Sequence, residues 1–175
     1  MMFRSMIISG KKVFRVRSIQ GEKGTSLVEL LVAMGISVLV FSILSTALVQ
    51  FVLTTRWGNN LLQVTNDIQV TSLWLGRDAL EAASFSPGSG SVYGTLNWAD
   101  SSNQYRYSYD SADGALVREH LENSIVQSTL KVARHIENQA DVTFNITGEL
   151  LTISITSTSG AESKSANFDF AFRTR

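Results

Sequence analysis

Residues 24–34 read GTSLVELLVAM and lead into residues 30–52, LLVAMGISVLVFSILSTALVQFV, 23 positions without one charged side chain. A helix of that length spans about 34 Å at 1.5 Å per residue, enough to cross a hydrocarbon layer of ~30 Å. Buried helices of soluble domains seldom keep so long a stretch free of charge. The run therefore reads as a transmembrane segment.

Charge on either side of the run sets the expected orientation. Formal charges balance over the whole chain, 15 basic against 15 acidic. Residues 1–24 nevertheless hold Arg4, Lys11, Lys12, Arg15, Arg17 and Lys23 against the single acid Glu22, a net +5. Only Arg56 follows closely after the run. Basic residues stay on the cytoplasmic side, so the N-terminus is expected in the cytoplasm and the remainder beyond about residue 55 exported. The part after Gly24 is acidic, with 9 basic and 14 acidic residues. This is a topology signal and not the basic surface of a nucleic-acid binder, so no direct nucleic-acid contact is expected.

A secretory signal fits poorly. Its apolar core is about 7–15 residues, followed by small residues at a cleavage site. Here the run is longer, and Thr54, Thr55, Arg56 and Trp57 follow it. Glu29 also sits at the start of the apolar stretch, among Leu27, Val28, Leu30 and Leu31. An acidic residue costs about 2.5–3.5 kcal/mol at mid-membrane and less near an interface, so Glu29 is a functional candidate in need of a partner.

With these residues in view, GTSLVELLVAM resembles the class III signal of type IV pilins and of the pseudopilins of type II secretion and DNA-uptake systems. That pattern is a basic leader, a glycine, four mostly apolar residues, a glutamate and a long apolar helix. The SLVELLVAM stretch most resembles minor pilins of the W type and pseudopilins of the J type. The resemblance implies cleavage by a prepilin peptidase between Gly24 and Thr25, and N-methylation of the new Thr25 amine. Glu29 becomes the fifth mature residue and the assembly glutamate. The implied partners are the peptidase, the membrane and other pilin or pseudopilin subunits, met through the N-terminal helix. The implied location is the inner membrane, with entry into a pilus or pseudopilus. The implied fold is a helical spine with a sheet on its C-terminal half.

The spacing has a physical reading of its own. Thr25 and Glu29 are four apart and share one helix face. After cleavage, a charged amine at Thr25 and the Glu29 carboxylate could neutralise each other within a subunit, or pair between subunits displaced along an axis. The alternative is that Glu29 simply sits at headgroup level.

Beyond the run, residues 54–84 contain no proline. Trp57, Leu61, Val64, Ile68, Leu75 and Ala82 recur at helical steps and form an apolar stripe, with Asp67, Arg77, Asp78 and Glu81 read as mostly off it. The helix is expected to run to about Ala83, with a local break allowed at Gly58, Asn59 and Asn60. It should stop at the SFSPGSG of residues 84–90, read as breakers. Strands are expected at 91–97, 103–109, 115–121, 141–146 and 150–156, with a turn at Asp113 and Gly114. Residues 129–138 fit a strand or a short helix equally. Residues 157–164 read as a polar loop. A last strand alternates Phe168, Phe170 and Phe172 with Asn167, Asp169 and Ala171.

The expected fold is thus α+β, pilin-like: a long N-terminal α-helix, its first half transmembrane, with an antiparallel β-sheet packed on its C-terminal half. The expected layout is a leader at 1–24, a membrane helix and assembly stalk at 25–53, an exported continuation at 54–84 and a β-rich domain at 85–175. No catalytic set, cofactor or metal site is expected. Cysteine is absent, and His120 and His135 lack metal-ligand spacing. Asp110 and Asp113 suit a turn better than calcium. Tyr93, Trp98, Tyr105 and Tyr107 suit a half-buried strand surface better than a binding patch. Two functions follow: a minor pilin or pseudopilin subunit, or a single-pass anchored protein with an extracytoplasmic binding or adhesive domain.

Overall fold

The computed structural model describes residues 26–100 and 102–172. The expected leader and its junction, Gly24 and Thr25, lie outside them. The chain divides into two compact units, Met1–Thr46 and Ala47–Arg175. In the first, the described residues are almost wholly one continuous helical stretch with every side chain exposed.

One helix, α1, covers Leu27–Glu81. Eight strands follow: β1 (Ser84–Pro87), β2 (Val92–Asn97), β3 (Asn103–Asp110), β4 (Ala115–Glu122), β5 (Ile125–Ala133), β6 (Val142–Thr147), β7 (Leu150–Ser159) and β8 (Glu162–Ala171). They form a five-stranded sheet in the order β1-β2-β3-β4-β5 and a three-stranded sheet β6-β7-β8, with every pairing antiparallel. The fold class is α+β, with the five-stranded sheet packed on the long helix.

In the second unit the stripe on α1 meets this sheet through buried Val64, Ile68, Leu75 and Ala79, joined by Ala82 just past the helix end. Leu96, Tyr105, Tyr107, Leu116 and Val132 answer from the five-stranded sheet, and Leu151, Ile153 and Ile155 from β7. Burying each large aliphatic side chain contributes about 1.5–3 kcal/mol, so this shared core outweighs any local helix preference. Phe144 of β6 joins the two sheets. Its ring lies 5.9 Å from Phe85, 5.6 Å from Tyr93 and 5.7 Å from Tyr107.

Several expectations need correction. The helix does not break at Gly58, Asn59 and Asn60. One glycine costs a helix about 1 kcal/mol, too little against the packing that follows. It stops at Glu81, two residues early, because the Ala83 N–H turns to the Asn97 carbonyl at 2.8 Å and starts sheet pairing. The supposed breakers at 84–87 are an edge strand, where a terminal proline is tolerated. The ambiguous segment resolves as a strand through Ala133, with Arg134–Asn138 irregular after it. The polar loop expected at 157–164 is instead the β7–β8 hairpin, turned by Gly160 at φ +59°. Its Ser and Thr side chains pair across strands, Thr156 with Ser165 at 2.9 Å and Thr158 with Ser163 at 3.1 Å. Trp57 and Leu61, placed on the stripe, remain exposed. Asp67 and Asp78, read as lying off it, are buried.

Candidate functional site

Of the expected site residues, only Glu29 is among those described. Ser26 precedes α1 and caps it. Its Oγ accepts the Glu29 N–H at 3.2 Å, and its carbonyl accepts the Glu29 and Leu30 N–H groups at 2.9 and 3.2 Å. Glu29 therefore occupies the third helical position, where a carboxylate gains about 0.3–1 kcal/mol from the helix dipole. That gain is smaller than the mid-membrane cost of an acid, so for a helix placed in a bilayer the depth of Glu29 would decide whether it needs a counter-charge. A serine three residues before a glutamate is a capping-box pattern, and the sequence reading passed over it.

Around Glu29 the surface is apolar on every side. Leu27, Val28, Leu30, Leu31, Met34, Ile36, Leu39, Phe41 and Ile43 are all exposed. Three hydroxyls in this stretch bond back into the helix. Ser37 donates to the Ala33 carbonyl at 2.8 Å, Thr46 to Ser42 at 3.0 Å and Thr55 to Phe51 at 2.9 Å. The helix is long and apolar enough to cross a membrane.

The folded unit holds two buried carboxylates. Asp78 receives Arg118 Nε at 2.5 Å and Nη2 at 2.7 Å, and the Tyr107 hydroxyl at 2.6 Å. The guanidinium lies 4.6 Å from the Trp74 ring centroid and 4.0 Å from that of Tyr105. Burial opposes its charge, but bonding to Asp78 prevails and raises its pKa. Tyr107 is held well above the usual tyrosine range, first by burial and then by Asp78. This cluster pins α1 to β3 and β4.

Asp67 pins the other end. One oxygen, Oδ2, accepts the N–H groups of Arg134 and His135 at 3.0 Å each, His135 Nδ1 at 2.9 Å and the Ser157 hydroxyl at 2.9 Å. Ser, His and Asp thus meet here, but the Ser157 hydroxyl bonds to the carboxylate and not to the far nitrogen of the imidazole. That is not the relay of a nucleophilic serine, which needs the histidine between the two.

The turn acids are closed by a cation of the chain itself. Lys131 Nζ bonds to the Asp113 carboxylate and lies 3.3 Å from Asp110. Its ammonium already pairs with both carboxylates. The hydrogen bond that Lys131 donates to Asp113, with Asp110 beside it, raises the lysine pKa. Among the described residues no three His, Cys, Asp or Glu side chains group as metal ligands. Of the aromatics considered as a patch, Tyr105 and Tyr107 are buried, while Tyr93 and Trp98 pack against the core.

Compared with known protein families, with curated proteins and with solved structures, the chain matches none.

Proposed function

We propose that the chain is a minor pilin or pseudopilin subunit of a type IV pilus-like or type II secretion-like filament. The observation that carries this reading is the Gly24-to-Glu29 spacing at the mouth of a helix that is apolar around its whole circumference. On this reading a prepilin peptidase removes residues 1–24 at the cytoplasmic face of the inner membrane and methylates Thr25. The helix then holds the subunit in the bilayer with its sheet domain exported. Pairing of the Thr25 amine with Glu29 of a neighbour relieves the unfavourable burial of a lone acid and draws the subunit into the filament. The exposed apolar stretch next packs against the equivalent helices of other subunits.

N-terminal sequencing of the protein extracted from membranes tests this directly. A chain starting at Thr25 supports the filament reading. A chain that keeps its basic leader overturns it and favours a single-pass anchored protein displaying a binding domain.

A further inference from the structure

In the second unit β7 runs alongside α1 toward the apolar end of the helix. Ser157 Oγ bonds to Asp67, and Ser159 Oγ donates to Gln63 Oε1 at 2.6 Å. Two strand residues and four helix residues each advance about 6–7 Å, so strand and helix keep step. The β7–β8 turn comes next. Gly160 approaches the Asn60 side chain so closely that a Cβ there would collide with it. Beyond this level the stripe on α1 loses its cover: Val64 is 0% exposed, Leu61 37% and Trp57 54%.

The residues just before Trp57 decide what meets it. Leu48, Val49, Phe51, Val52 and Leu53 are all exposed and apolar. Trp57 stands four residues past Leu53, about 6 Å along the axis, and Asn60 about 10 Å past it. A bilayer has ~30 Å of hydrocarbon within a total of about 40–45 Å, which leaves about 5–7 Å of headgroups on each side. With Leu53 at the edge of the hydrocarbon, Trp57 falls within that layer and the β7–β8 turn at its outer surface. Tryptophan suits this depth because its ring is apolar and its N–H polar. Charge at the same level is small. Arg56 is exposed beside Trp57, Glu162 pairs with Ser159 across the hairpin, and Lys164 Nζ lies 3.4 Å from Thr65 Oγ1. The charges around Asp67 stand about 10 Å further from Leu53 than Asn60 does. Depth, and not attraction to anionic lipid, therefore sets this contact.

We infer that the phospholipid headgroup layer is the partner of this end of the sheet unit. Trp57 seats at the boundary of acyl chains and headgroups, Arg56 lies among the phosphates, and Gly160 and Ala161 rest on the surface. This rests on the membrane-spanning reading of the helix. It adds that the unit stands directly on the lipid, without a linker, since α1 is unbroken from Leu53 through Asn60.

The full chain is reconstituted into phosphatidylcholine vesicles brominated either near the headgroup end or near the tail end of the acyl chains. Trp57 emission is read as the difference between the parent and Trp57→Phe. Trp74 lies about 26 Å further along α1, and Trp98 packs on Tyr105. Bromine near the headgroups should quench that difference by about half or more, and bromine near the tails less. Added anionic lipid should leave the quenching unchanged. A fluorophore on Ala161→Cys, in a chain without other cysteines, should be quenched by a headgroup-attached nitroxide. The same fluorophore on Leu80→Cys, about 30 Å beyond Asn60, should not. No bromine quenching at Trp57, or equal nitroxide quenching at the two labels, overturns the inference and leaves the membrane helix standing. Trp57 shielded from both lipid bromine and aqueous acrylamide also overturns it, in favour of a contact between copies. Release of the chain from vesicles by alkaline carbonate overturns it together with the membrane reading.

Discussion

Arg118 grips Asp78 through two parallel bonds of 2.5 and 2.7 Å, with the two side chains 7% and 0% exposed, and the contact ties the fourth strand to the helix. Removing one partner of such a buried pair leaves an uncompensated charge and costs about 3–5 kcal/mol. Asp78→Asn should lose stability on that scale in urea unfolding of the detergent-solubilised chain. Replacing both residues by apolar ones of similar volume, as in Asp78→Leu with Arg118→Met, should recover much of the loss. A double variant as unstable as the single one would show that the pair does more than balance its own burial.

Asp67 presents a different test, because it organises main chain. Asp67→Ala strands two backbone donors, a hydroxyl and an imidazole, at a cost of about 2–4 kcal/mol. Amide exchange should accelerate at Arg134 and His135 while the β2 and β3 amides stay protected. Uniform acceleration across the sheets would mean that Asp67 supports the whole fold and not this segment.

Gly94 on β2 lies face-on to Phe85, so a Cβ there meets the far edge of the ring and the Ser86 carbonyl. Gly94→Ala should displace Phe85 from its stack with Phe144 and destabilise by about 1–3 kcal/mol. The loss of Tm should be accompanied by changed near-ultraviolet circular dichroism. Unchanged aromatic signals would refute the clash.

Acid sensitivity should show at the turn between β3 and β4. The Ala112 N–H, 3.1 Å from Asp110, is the main cause holding that carboxyl below the usual range, and Lys131 adds to it. A depressed folded pKa contributes stability that is present above about pH 4 and is lost as pH falls through the folded value. Asp110→Asn should therefore have a lower Tm than the parent at pH 6, and the gap should close as pH falls below about 4 and through the lowered folded pKa. A gap independent of pH would assign the effect to shape and not to charge. Asp100, lowered in the same sense first by the Ser102 hydroxyl, keeps part of the acid slope in the variant.

On the filament reading, Glu29→Ala should still be inserted and cleaved. Its amount in sheared filaments should fall by about tenfold or more, because the amine of Thr25 then lacks its counter-charge. Normal incorporation would leave Glu29 as a headgroup-level residue that caps a helix.

Much of the fold was legible because it rests on short-range pattern. The uncharged run, the tyrosines at 105, 107 and 109 and the phenylalanines at 168, 170 and 172 each announced their element. The errors came where polarity was taken for exposure. Asp67 and Asp78 were set aside as charges, since the residues that satisfy them, His135 and Arg118, lie 68 and 40 positions away. Ser157 and Ser159 read as loop for the same reason. They face inward because the helix carries Asp67 and Gln63 opposite them. The bond between Ser159 and Asn60 joins residues 99 positions apart and has no local signature. Glu29, by contrast, stands out in the sequence as an acid beside an uncharged run, while its cap Ser26 does not.

The hydroxyls along α1 carry one more implication. Ser37, Thr46 and Thr55 each settle their hydrogen bond within their own helix, one turn back. On the filament reading, these three positions can exchange acyl chains for protein side chains around them without breaking a polar contact. On the same reading, lateral transfer between those surroundings is then opposed at these three positions by shape and packing alone, and the Glu29 carboxylate near one end is a group that registers how deep the helix stands.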